Sequence, residues 1–167
     1  LAQVLDVEQI LRDVLPSTTE VITPEKVGPK IKLPAGKMIL AADDSPLARS
    51  MIEKELKTLD VPYVMTHTGL EAWKRIQSIS DTAAAEGKTL HDKVALVLTD
   101  LEMPEMDGFT LTRNIKSDQR FKSVPVVIHS SLTGEANENH VKSVGADAFI
   151  AKFEAGELAE AIRKALA

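Results

Sequence analysis

Met38-Ile39-Leu40-Ala41-Ala42-Asp43-Asp44-Ser45-Pro46 decides the fold of this chain. Five apolar residues without polar alternation read as a strand covered on both faces. Two acids follow, then a Ser-Pro pair. Ser45 suits a helix N-cap, because its hydroxyl can accept from an unpaired N–H of the first turn, and Pro46 suits the first helical position. The unit is therefore strand, acidic turn, helix, with the helix running to about Leu59.

Working outward, the same alternation returns four times. Tyr63-Val64-Met65 reads as a second strand and Gly69 to about Ile79 as a second helix, with Leu70, Trp73 and Ile76 on one side. Core packing is the expected role of Trp73. Residues 80–93, with Gly87 and several polar side chains, read as an extended connection. Val94-Ala95-Leu96-Val97-Leu98 is a third strand ending at Thr99-Asp100, and a helix is expected over about 107–116. Val124-Pro125-Val126-Val127-Ile128 is a fourth strand, followed by a helix from about Gly134 to Val144 that stops at Gly145, a C′ glycine. Ala148-Phe149-Ile150-Ala151 is a fifth strand. Leu158, Ala161, Ile162, Ala165 and Leu166 stripe the last helix. Five apolar strands alternating with helices predict a parallel sheet wrapped on both faces, an α/β doubly wound fold.

Upstream, Val7, Ile10, Leu11, Val14 and Leu15 form the stripe of a short amphipathic helix over 1–15. Pro16, Pro24, Pro29 and Pro34 follow, with Gly28 and Gly36. That density excludes a helix or a central strand, so 16–36 reads as a proline-stiffened linker and 37–167 as the domain. The chain opens on Leu1 and is expected to be part of a longer one. It has 167 residues, 44% of them hydrophobic and only 4% aromatic, so the core should be aliphatic. A formal net charge of -5 argues against nucleic acid as a partner. The absence of cysteine excludes thiolate catalysis and Cys-based zinc sites. No apolar run reaches the length of a membrane span and no signal peptide is visible, so neither nucleic-acid binding nor membrane insertion is expected, and the expected location is cytoplasmic.

In such sheets the functional crevice lies at the carboxyl ends of the strands. Asp43 and Asp44 follow the first strand, Asp100 the third, Ser130 and Ser131 the fourth, and Lys152 the fifth. Any one alone is an ordinary turn or capping residue; the whole set in register with strand ends is not. Three clustered carboxylates repel one another and call for a cation or protonation. They are hard oxygen ligands suited to Mg2+, which keeps waters and takes phosphate oxygens. A metal, an ammonium group and a hydroxyl together equip a site for phosphoryl transfer, with one carboxylate as nucleophile. The four histidines share no metal spacing, and His129 at the end of a buried strand reads as a packing residue.

Leu40-Ala41-Ala42-Asp43-Asp44-Ser45-Pro46, Leu98-Thr99-Asp100-Leu101-Glu102-Met103-Pro104-Glu105-Met106-Asp107-Gly108, Val127-Ile128-His129-Ser130-Ser131 and Ile150-Ala151-Lys152 resemble the receiver domain of two-component response regulators. The resemblance covers about 37–167 and implies the flavodoxin-like, CheY-like strand order 2-1-3-4-5. It implies that Asp100 is the phosphoacceptor, that Asp44 and Asp100 ligate Mg2+ directly with Asp43 acting through water, and that the Glu102 carbonyl completes the metal ligands. Ser130 and Lys152 would bind phosphoryl oxygens, and Phe149 matches the aromatic switch position. Leu5-Asp6-Val7-Glu8-Gln9-Ile10-Leu11 resembles the last helix of a CheW-like coupling domain. A coupling domain, a linker and a receiver are the layout of chemotaxis adaptors, and Ser130-Ser131-Leu132-Thr133-Gly134 and Lys152-Phe153 also resemble that group. The implied function is a phosphorylation-controlled chemotaxis adaptor, served by a CheA-like histidine kinase and tied to the chemoreceptor array through the CheW-like domain. It would transfer and hydrolyse its own phosphoryl group without turning over free substrate.

Three features depart from the usual receiver pattern. Phe153 stands where proline usually follows the lysine, so a cis Lys152-Phe153 bond would be costly. Glu102 adds an acid beside the metal site. The 80–93 connection is unusually long. The rival readings are a Mg2+-dependent phosphohydrolase of haloacid dehalogenase type, a receiver from another two-component adaptor, and a flavodoxin-like FMN carrier. The first needs an Asp-x-Asp pair after the first strand, where Asp43 and Asp44 are adjacent; the last needs a phosphate loop where these acids would repel phosphate.

Overall fold

The computed structural model describes residues 28–131, 135–152 and 156–166. The expected helix over 1–15, most of the expected linker and Phe153 lie outside the described residues. Five parallel strands, β1 (Met38–Ala42), β2 (Tyr63–Thr66), β3 (Val94–Asp100), β4 (Val126–Ser130) and β5 (Ala148–Ala151), form one sheet in the order β2-β1-β3-β4-β5. Among the described residues, five helices connect and flank them: α1 (Pro46–Thr58), α2 (Gly69–Ala85), α3 (Gly108–Ser117), α4 (Glu135–Ser143) and α5 (Glu157–Leu166). The doubly wound fold and its strand order are those the sequence implies.

Local chemistry sets the helix boundaries. Ser45 caps α1, its Oγ accepting from Ala48 N at 3.2 Å, with Pro46 in the first turn. Asp107 caps α3 by accepting from Thr110 N at 2.7 Å. Gly145 ends α4 with φ of +94°, where a side chain would be strained. Alternation along the strands then sorts the core. Ile39, Ala41, Leu98 and Val127 pack with α1 and α5 through Ile52, Leu56, Leu158 and Ile162. Leu40, Ala42 and Val97 pack with α2 and α3 through Ala72, Ile76, Leu111 and Ile115. All seven residues of β3 are buried, as expected of the central strand. Trp73 packs at the second cluster with its ring edge-on to Phe121, 5.6 Å between centroids.

Two connections differ from the sequence expectation. The extended reading of 80–93 fails because α2 continues to Ala85, and a short 3-10 turn follows over Leu90–Asp92. Ser80 and Ala83 extend the buried stripe of Ala72 and Ile76, and three consecutive alanines favour helix. The polar residues at 78–82 masked that continuity. The last part of the proline-rich segment is also not detached. Ile31 and Leu33 are buried in the α1/α5 cluster, and Ile31 N donates to Leu59 O at 3.0 Å. The Arg163 guanidinium on α5 donates to Pro29 O at 2.5 Å. Ile31→Ala should therefore destabilise the fold by about 2–3 kcal/mol, the range for a buried aliphatic truncation. Lys32→Ala, on an exposed position between them, should be close to neutral. Denaturant melts of the two variants measure the difference; equal stabilities would detach the segment from the core.

Candidate functional site

Strand register assembles the site. Ala41 pairs with Leu98, Asp100 with His129, and His129 with Ile150. Asp43 is two residues beyond Ala41, as Asp100 is beyond Leu98. Because side chains alternate with a period of two, Asp43, Asp100 and His129 share one face and one row at the strand ends. Lys152, two residues beyond Ile150, lies on that same face.

Asp43 is fully buried and Asp100 nearly so, whereas Asp44 is exposed. One carboxylate oxygen from each of the three lies within 4.8 Å of the others. Lys152 Nζ sits 2.9 Å from Asp43 Oδ2 and 3.1 Å from Asp100 Oδ1, bridging the two buried acids. Backbone amides orient them further: Ser45 N donates to Asp43 Oδ1 at 2.9 Å and Leu101 N to Asp100 Oδ1 at 2.8 Å. Arg49 of α1 donates to the Asp43 carbonyl at 2.9 Å. Asp44, Asp100, Glu102, Met103, Ser130, Ser131 and Lys152 line an open cleft of about 410 Å³ above this row. Glu102 is exposed on it and Ser130 is buried at its floor.

The electrostatics follow from this burial. Loss of solvation and the neighbouring Asp43 carboxylate push the Asp100 carboxyl up to about 7, against the opposing pull of Lys152 and the Leu101 amide. Burial alone would lower Lys152, but Asp43 and Asp100 outweigh it and raise its affinity for the proton. Burial holds His129 neutral, down to about 4. Two buried acids served by one lysine, with a third acid open to the cleft, are short of positive charge. Hard oxygen donors around such a deficit fit Mg2+, and Asp43, Asp44 and Asp100 are grouped closely enough to hold it.

Loop 101–107, carrying the Met-Pro-Glu-Met-Asp sequence, closes beside Asp100. Gly108 N donates to Leu101 O at 2.8 Å and Met106 N to Pro104 O at 2.8 Å. On the opposite face of the sheet, Ile128 pairs with Phe149 and Ser130 with Ala151. Half-buried Phe149 packs on Leu101, Ile128 and Val141 of α4. It is thus a diagonal neighbour of Ser130 on that face. The fourth strand reaches Ser130 rather than stopping at Ile128. His129, read from sequence as a packing residue, lies instead against the acids, with Nε2 at 3.4 Å from Asp43 Oδ2. The signal that could have found it is its position one residue before Ser130, which puts it on the Asp100 face.

Residues 39–163 match the response regulator receiver domain family. Chemotaxis protein CheV2 of Helicobacter pylori is 32% identical over 168 residues, covering 99% of this chain and 50% of that protein. The chain thus spans about half the length of this curated relative. Chemotaxis protein CheY1 of the same species is 30% identical over 115 residues, covering 68% of this chain and 83% of that protein. Among solved structures, the receiver domain of the histidine kinase CKI1 from Arabidopsis thaliana, complexed with Mg2+ and BeF3-, is 27% identical with a TM-score of 0.67. It covers 78% of this chain and 89% of that one.

Proposed function

The chain belongs to the response regulator receiver domain family, and from that premise we propose that it accepts a phosphoryl group on Asp100 from the phosphohistidine of a CheA-like kinase, as the phosphorylation-controlled part of a chemotaxis adaptor. The observation that carries this reading is the bridged pair of buried acids beside an exposed third acid, all within 4.8 Å, with Lys152 Nζ between them. An Asp100 carboxylate oxygen attacks phosphorus as the P–N bond breaks, and the donor imidazole leaves with the electron pair. Lys152 supplies fixed positive charge at the transferring oxygens and the Ser130 hydroxyl a hydrogen-bond donor. Bound Mg2+ would offset the charge of the three carboxylates and the phosphoryl oxygens. Return of the group to water regenerates the carboxylate.

Phosphoryl attachment replaces the single charge of the Asp100 carboxylate with a group carrying about 1.5–2 negative charges, and puts its strong acceptor oxygens beside Ser130. Movement of the Ser130 hydroxyl toward them frees space that Phe149, on the same face, can enter, and this carries the event to the surface of α4, β5 and α5. Ser130→Ala should still be labelled at Asp100 yet show a weakened chemical-shift response at Phe149 to beryllofluoride. A full response would route the coupling elsewhere.

Residues 1–15 are then read as the end of a CheW-like domain and the segment from 16 to about 28 as the link to the receiver, a layout compatible with a CheV2 alignment that spans nearly the whole chain yet only half of that protein. That domain would tie the adaptor to the chemoreceptor array in the cytoplasm. No helix among the described residues is long and apolar enough to cross a membrane. Intact mass after incubation with acetyl phosphate and Mg2+ tests the reading: one added phosphoryl group is expected, and none under EDTA. Turnover of a free phosphate ester instead would favour a phosphohydrolase.

A further inference from the structure

His129 is the one buried titratable side chain of the row that the chemistry above leaves without a task. Its neighbours on that sheet face, Val127 and Ile150, are aliphatic and belong to the α1/α5 core. An imidazole among them must lose its hydration, and such a cost is ordinarily met by a hydrogen bond. Yet Nε2 has no well-formed hydrogen-bond partner among the described residues, and Asp43 Oδ2, the atom it faces at 3.4 Å, is met by Lys152 Nζ. The imidazole is 4% exposed and the aspartate fully buried, so water does not serve them at the surface. An imidazole lone pair turned toward a carboxylate would be repulsive, so the proton belongs on Nε2, directed at Oδ2.

The charge on Asp43 is met in this state by Lys152 at 2.9 Å, and the same ammonium group also meets Asp100 at 3.1 Å. A phosphoryl group on Asp100 places its oxygens farther out, toward the cleft. Lys152 can follow them only by drawing away from Asp43 Oδ2, which would then have His129 as the donor side chain left beside it. An uncompensated buried carboxylate is strongly unfavourable. Closing the gap from 3.4 Å to hydrogen-bond length takes a few tenths of an ångström.

We propose that His129 is a positioning residue that holds Asp43 through its Nε2–H as Lys152 moves to the phosphoryl group, keeping Asp43 oriented toward the metal. The inference rests on Asp100 being the phosphoacceptor. It makes the transfer of Lys152 an exchange of partners rather than the abandonment of a buried charge.

Nitrogen-15 NMR of the imidazole in the metal-free protein should show the Nε2–H tautomer, with a proton slow to exchange. Adding Mg2+ and beryllofluoride should move that proton downfield as the hydrogen bond shortens. His129→Leu should weaken beryllofluoride and Mg2+ binding by about tenfold or more, the scale of losses when a residue supporting a metal ligand is removed. His129→Gln, whose amide can donate from nearly the same place, should recover most of it. An Nδ1–H tautomer overturns the proposal, as does a folded His129→Leu that binds both as wild type does. The tautomer is read on the wild-type protein and decides the matter even if the leucine variant does not fold. Wild-type protein that binds neither Mg2+ nor beryllofluoride would overturn the phosphoacceptor reading itself.

Discussion

Asp100→Asn is expected to take up no phosphoryl group from acetyl phosphate and Mg2+, and to melt above wild type at pH 8 in the absence of metal. Loss of labelling follows from loss of the only nucleophile in the proposed transfer. The gain in stability follows from the carboxyl's raised position, about 7 in the folded chain against an ordinary 3.8. An acid raised on folding contributes its stability below its ordinary value and loses it as pH climbs through the folded value. Wild type should therefore lose stability between about pH 4 and pH 7 through this group, and the amide should not. The two melting curves should nearly coincide at pH 4 and separate at pH 8, by about 1–2 kcal/mol or roughly 3–6 °C for a domain of this size. Mg2+ should narrow the gap by stabilising wild type. A labelled asparagine variant would remove Asp100 from its role. A gap of the same size at pH 4 would show that charge burial is not its source.

That destabilising charge bears on how much the sequence discloses. Asp43, Asp100 and Lys152 stand out because polar residues at the ends of apolar strands break the pattern of a buried sheet, and the structure brings them together within 3.1 Å through Lys152. The fold was legible for the same reason, since uninterrupted apolar runs separated by capped helices allow few arrangements. His129 was hidden by the opposite circumstance. A histidine closing an apolar strand looks like core until the strand is seen to run on to Ser130, which fixes the face it takes. Local composition also misled at 80–93, where Asp81 and Thr82 sit on the outer side of a helix whose inner side is Ile76, Ser80 and Ala83. At Ile31 and Leu33 the prolines around them conveyed stiffness without conveying what the apolar side chains would meet. That depends on where Leu59 and α5 end up, a long-range matter no short window contains.

Gly108→Ala is expected to lose both stability and labelling, and the reason lies in how loop 101–107 is held. A Cβ at Gly108 would lie 2.2 Å from the Asp100 carbonyl oxygen and 3.0 Å from Leu101 Cα. Both are backbone atoms beside the acceptor, so neither can turn aside as a long side chain would. The same loop is approached from its other side by Gly69 at the start of α2, where a Cβ would lie 1.8 Å from the Met106 carbonyl oxygen. The two glycines let the first turns of α2 and α3 close on the loop that follows Asp100. The added methyl at Gly108 must push α3 away from β3 or displace the Asp100 carbonyl, at a cost of about 3 kcal/mol, the upper range for overpacking a filled interior. It also strains the 2.8 Å bond from Gly108 N to Leu101 O that closes the loop. Because Asp100 moves with its own carbonyl, labelling by acetyl phosphate should fall even at temperatures where the variant stays folded. Gly69→Ala should cost comparable stability, but its clash is with Met106, six residues from the acceptor, so its folded fraction should label more nearly as wild type does. Thermal melts with intact-mass labelling of both variants separate the two effects. A Gly108→Ala protein with wild-type melting and wild-type labelling would mean that α3 does not press on the acceptor strand as closely as the structure has it.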